Sequence, residues 1–186
     1  MTRKNSRRFQ IGVMGSAADL NYSKEFEKAA EKLGELIAER GGILMFGAEK
    51  DSDSLSTAAC RGAKKKGGLT VGVTYGKRKD VWQKDADVIL PCGLERGGGR
   101  EFVLILGCDA VIAISGGSGT LNELAVAYQA DIPMIALKGF GGWADKLAGE
   151  FFDGRKRRKV LLANTPEEAV KLAFEEAKLY RDKYEK

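Results

Sequence analysis

Five apolar residues in succession, Ala110-Val111-Ile112-Ala113-Ile114, run straight into Ser115-Gly116-Gly117-Ser118-Gly119. From Thr120 the apolar residues return at helical spacing, at Leu121, Leu124, Ala125 and Tyr128. An unbroken apolar run suits a strand covered on both faces of a parallel sheet. Three glycines in four positions allow a turn whose backbone comes close to whatever it faces. Ser118 or Thr120 is the expected cap of the helix that follows. Strand, glycine turn and helix together aim backbone N–H groups and the positive end of a helix dipole at one point. Such a point attracts phosphate. Glu123 falls one turn inside the helix, within reach of the same point.

The remaining chain repeats this alternation. Strands are expected at 9–15, 43–46, 69–74, 134–137 and 160–163, and helices at 22–40, 54–66, 100–107 and 166–184. Thr165 stands as cap before Pro166 at the first position of the last helix. Between 76 and 99 the pattern weakens to a short apolar run, 88–90, and a glycine-rich loop. Residues 139–143 read as another loop. Strands and helices in alternation give an α/β chain: one domain over 1–186, a Rossmann-like doubly wound parallel sheet with helices on both faces. Ligands of such sheets bind beyond the carboxyl ends of the strands, where strand order reverses. With the first strand beside the 110–114 strand at that reversal, Gly15 and Ser16 face Gly116, Gly117, Ser118, Gly119 and Thr120 across one cleft.

Composition removes whole classes of chemistry. The 186 residues contain no histidine. That excludes a Ser-His-Asp triad, a Cys-His dyad and histidine-ligated zinc, and leaves carboxylates, arginine, lysine and backbone dipoles. Three cysteines without a Cys-x-x-Cys spacing read as thiols of a reducing, cytoplasmic compartment. No apolar run approaches the ~20 residues of a membrane span, and the basic N-terminus lacks the features of a signal peptide. A net charge of +5 is spread over short basic runs such as Lys77-Arg78-Lys79. No aromatic interleaving or nucleic-acid motif accompanies them, so they read as solvated surface.

Familiar phosphate motifs fail on this turn. No Lys-Ser/Thr pair closes it as in a P-loop, and Asn122 stands where Gly-x-Gly-x-x-Gly needs its last glycine. Ser115-Gly116-Gly117-Ser118-Gly119-Thr120-Leu121-Asn122-Glu123 instead resembles the Pro-Gly-Gly-x-Gly-Thr-x-x-Glu signature of the LONELY GUY family, often labelled lysine decarboxylases, with serine for the leading proline. Arg100, nine residues before Asp109, matches that family's arginine in position. The resemblance implies a phosphoribohydrolase that cleaves the N-glycosidic bond of a nucleoside 5′-monophosphate. Arg100 and Glu123 would be catalytic, no metal or cofactor would be needed, and the assembly would be a homodimer or higher homo-oligomer. After the second strand the family carries a glycine-rich segment with Gly-Leu-Met. Here Gly47-Ala48-Glu49-Lys50-Asp51-Ser52-Asp53-Ser54-Leu55-Ser56 is polar and nearly free of glycine. The branch that includes molybdenum cofactor carrier proteins shares the fold and the turn, and leaves a second reading: a carrier that binds without chemistry.

Each residue has a plainer reading. Glu123 could be a carboxylate favoured by the helix dipole, and Arg100 a cation at an unfavourable helix start in need of a partner. Glu101 reads as an ordinary helix-start acid. Asp51 and Asp53 could bind Mg²⁺ or stand in water. Lys138, at the carboxyl end of a strand, could meet a phosphate or be exposed. A pyridoxal-phosphate decarboxylase is rejected, since nothing near the turn places a Schiff-base lysine.

Overall fold

The computed structural model describes residues 7–48, 53–76, 86–94 and 99–184. Asp51, the Lys77-Arg78-Lys79 run and the basic residues 1–6 lie outside them. Among the described residues seven strands form one parallel sheet in the order β4-β3-β2-β1-β5-β6-β7. They are β1 (Gln10–Gly15), β2 (Ile43–Gly47), β3 (Leu69–Thr74), β4 (Val88–Pro91), β5 (Ala110–Ile114), β6 (Met134–Leu137) and β7 (Leu161–Ala163). The helices are α1 (Lys24–Glu39), α2 (Leu55–Lys65), α3 (Arg100–Leu106), α4 (Ser118–Gln129), α5 (Gly142–Leu147) and α6 (Pro166–Tyr184). Helices α1, α2 and α6 cover one face, where Leu33, Ile37, Phe46, Ile112 and Val170 are buried. Helices α3, α4 and α5 cover the other over Leu104, Val111, Leu124 and Met134. All five residues of β5 are buried, as an apolar run covered on both faces requires.

Several boundaries differ from those read in the sequence. The 88–90 run extends to an edge strand with alternating exposure. Gly142 begins a six-residue helix where a loop is expected, because Trp143 N and Ala144 N donate to Gly116 O (3.0 Å) and Ser115 O (2.9 Å). Only tertiary contact supplies those acceptors. Val160 precedes β7 and pairs with Glu150 and Gly149 instead. Thr165 does cap α6, its hydroxyl accepting from Glu168 N at 3.1 Å.

Two features of β5 fix the ends of the sheet. β1 and β5 pair in register, Gly15 opposite Ile114, so their carboxyl ends open side by side. This is the reversal point, with β1 between β2 and β5. At the amino end Asp109 is buried and fully engaged. It takes Arg7 through both oxygens (3.0 and 2.9 Å), Arg181 at 2.9 Å and the backbone N–H of Gln10 at 2.8 Å.

Candidate functional site

The chain leaves β5 through Ser115 and Gly116, both in the left-handed region (φ 57° and 97°). Gly116 is required twice over. Its φ favours glycine, and a Cβ there would lie 2.4 Å from the Thr120 side chain. Ser16, at the end of β1, holds this corner: its Oγ accepts from Gly116 N at 2.9 Å and donates to Ser115 Oγ at 3.0 Å. Helix α4 then starts two residues earlier than the Thr120 start read from spacing. Gly117 is its N-cap, and Ser118 and Thr120 lie within its first turn instead of capping it. No side-chain cap closes the helix, so its first N–H groups face the cleft.

A cavity of about 390 Å³ opens there. Of the residues expected at the site, Gly15, Gly117, Ser118, Gly119, Thr120, Arg100 and Glu123 line it together. Ser16 and Gly116 do not. They sit behind the turn, on a second cleft with Tyr22, Phe26, Phe140, Trp143 and Lys146. Burial, and after it the charges of Asp53 and Glu27, push the Tyr22 hydroxyl up to about 12, so it stays protonated. Lys138 is exposed and lines neither cleft. Asp53 spends both oxygens on Arg61 at 3.0 Å. Among the described residues no three metal-ligating groups come together. Ser54 caps α2, accepting from Thr57 N at 3.1 Å, and with Ser56 forms another wall of the cavity.

Arg100 and Glu123 meet as a buried pair. Arg100 is 5% exposed and Glu123 6%, with Arg100 Nη2 3.9 Å from Glu123 Oε1. The guanidinium also donates to Tyr75 Oη (2.8 Å), lies 3.4 Å from Glu101 Oε1 and stacks on the Tyr75 ring with Cζ 4.5 Å from its centroid. Gly47, at the end of β2, makes the room: a Cβ there would sit 1.8 Å from Arg100 Nη1. The cost of a cation at a helix start is thus met by two carboxyl groups and an aromatic face. Tyr75, Gly47 and Glu101 were not legible as site residues. Only the adjacency of Glu101 to Arg100 hinted at one of them. Beneath the site Cys108 is buried, and desolvation followed by the charges of Asp109 and Glu123 pushes its thiol far up, which removes it as a nucleophile.

The arrangement brings a helix N-terminus without a side-chain cap, a carboxyl group and a guanidinium into one cavity, with no helix among the described residues long and apolar enough to cross a membrane. Residues 8–170 match the family model of the SLOG cluster4 family. An uncharacterised protein of Archaeoglobus fulgidus is 33% identical over 129 residues, 69% of this chain and 80% of that one. Among solved structures, TM1055 superposes with a TM-score of 0.80 at 28% identity, covering 90% of this chain and 99% of its own. The molybdenum cofactor binding protein of Rippkaea orientalis gives 0.77 at 30% identity, over 92% of this chain and 98% of that one. The molybdenum cofactor carrier protein of Chlamydomonas reinhardtii gives 0.77 at 28%, over 91% and 98%.

Proposed function

The chain belongs to the SLOG cluster4 family, and from that premise we propose that its cavity binds a nucleoside 5′-monophosphate and cleaves the N-glycosidic bond, releasing base and ribose 5-phosphate. The observation that carries this reading is the Arg100–Glu123 pair in the same cavity as Gly117, Ser118 and Gly119. The 5′-phosphate rests on the N-terminus of α4 and anchors the sugar. As the bond to the base breaks, positive charge develops on the sugar, and the Glu123 carboxylate stabilises it. A water oxygen bonds to the anomeric carbon. Glu123 takes one of the water's protons as the bond to the base breaks, and that proton passes to the departing base, which restores the carboxylate. Arg100 fixes Glu123 and faces the electron-rich leaving group.

Incubation with a panel of nucleoside monophosphates should release free base. Gly119→Asp tests the anchor without disturbing the fold, since a Cβ there meets no atom within 4 Å. The added carboxylate occupies the phosphate position, and protection by AMP against heat should vanish. Equal protection of this folded variant would place the phosphate elsewhere.

A second reading has its own support: two of the similar structures are a molybdenum cofactor binding protein and a carrier protein. A carrier would hold a phosphorylated heterocycle and return it intact. Prolonged incubation decides between them, because tight binding with no base released selects the carrier. Either way we infer a homodimer. Phe102, Val103 and Leu106 of α3 are 44–60% exposed directly behind Arg100. Light scattering of the 20.1 kDa chain should give at least twice that mass, and a monomer at micromolar concentration refutes the assembly.

A further inference from the structure

Acids in the first turn of a helix ordinarily stand in water, as Glu25 of α1 and Glu167 of α6 do here. Glu101 does not. It is 3% exposed, lines the cavity and has its two oxygens in unequal circumstances. Oε1 accepts from Tyr75 Oη at 3.2 Å and lies 3.4 Å from Arg100 Nη2. Oε2 is buried and, among the described residues, meets no donor. A buried acceptor left unmatched is costly, and native structures seldom keep one without a use. Tyr75 and Arg100 both engage Oε1 and leave Oε2 as the spare acceptor.

We propose that Glu101 Oε2 is the acceptor for a hydrogen-bond donor on the ligand, an O–H or N–H distant from its phosphate. This rests on the phosphate-anchored reading above and names what the far end of the ligand must carry. A cation is the poorer occupant, because no third metal-ligating group stands with Glu101 and Glu123 among the described residues. A lone acceptor at a fixed place selects instead. A ligand with the donor satisfies the oxygen, and an isostere without it leaves the oxygen buried and unmatched. Phosphate then supplies the anchor and Glu101 the discrimination.

The test compares affinities of AMP, 2′-deoxy-AMP, 3′-deoxy-AMP and purine riboside 5′-monophosphate for wild type, Glu101→Ala and Glu101→Gln, with ribose 5-phosphate as the anchor probe. The deoxy forms delete hydroxyl donors and the purine form deletes the exocyclic amine, so the arms separate the two sources. Wild type should bind one analogue roughly tenfold to a hundredfold more weakly than AMP, the range for a hydrogen bond to a charged group. In Glu101→Ala that ratio should fall to about one. The same ratio read in Glu101→Gln, which keeps a weaker, uncharged acceptor and the side-chain volume, should fall part of the way. This covers the case in which the alanine variant does not fold. If AMP binds but the ratio is the same in wild type and both variants, or wild type shows no discrimination, Glu101 is not the acceptor. If AMP and ribose 5-phosphate both fail to bind wild type, the phosphate reading falls, and this inference with it.

Discussion

Both ends of β5 bury acidic side chains against arginine, and the two ends are built in opposite ways. At the amino end one carboxylate, Asp109, receives two guanidinium groups and a backbone N–H, all within 3.0 Å. At the carboxyl end two carboxyl groups, Glu101 and Glu123, stand 3.4 and 3.9 Å from one guanidinium, and Glu101 Oε2 meets no donor among the described residues. The first cluster is closed. Its carboxylate is saturated with donors, and it ties Arg7, β1 and α6 together at the base of the sheet. The second leaves Glu101 Oε2 without a donor among the described residues, beside an uncapped helix end and an open cavity. An unmatched buried acceptor stabilises a fold poorly, which is why we propose this end, and not the other, as the ligand site.

Breaking the closed end should have the largest effect. Asp109→Ala leaves two arginines facing each other and should cost about 3–5 kcal/mol in urea unfolding, as removal of one partner from a buried ion cluster does. Glu123→Gln acts on the open end and should appear in catalysis. Base release should drop roughly a hundredfold or more, with AMP affinity at or above wild type, because the lost charge acted mainly in the transition state and repelled the bound phosphate. Gly47→Ala sharpens the contrast, since its Cβ would displace only the far end of Arg100. Turnover should drop about tenfold to a hundredfold through the misplaced guanidinium, while stability changes by about 1 kcal/mol or less.

A surface cluster should give the smallest effect. Burial alone would raise the Asp131 carboxyl, but hydrogen bonds from Arg158, Lys183 and Tyr184 hold it well below the usual carboxylate range. Its stabilisation is therefore present above the unfolded pKa of about 3.9 and is lost as pH falls through the lower folded value. Asp131→Asn should cost about 1 kcal/mol or less at pH 7. The gap to wild type should close on acidification, which thermal melts between pH 7 and pH 2 would follow.

The strand, turn and helix of residues 110–129 were legible because hydrophobic period and glycine placement both act locally. The neighbouring of β1 and β5 entered the sequence reading only as a condition, and the parallel pairing of the two strands meets it. The likeness of residues 115–123 to the LONELY GUY signature, with the carrier branch near it, agrees with the family match and with the solved carriers. What stayed hidden depends on contacts between distant residues. The room for Arg100 comes from Gly47, fifty-three positions earlier. Nothing local says that Glu101 turns inward while Glu167 turns outward. α5 starts where it does because its first N–H groups find the carbonyls of Ser115 and Gly116.

The difference between the two ends is tested most directly by the urea unfolding of Glu123→Gln, without ligand and with AMP. Arg100 keeps Tyr75 and Glu101 in that variant, so no cation is stranded. The ligand-free variant should be at least as stable as wild type, and AMP should stabilise it further. A loss of about 3 kcal/mol or more, matching Asp109→Ala, would make the carboxyl-end cluster part of the scaffold and contradict its role as a ligand site.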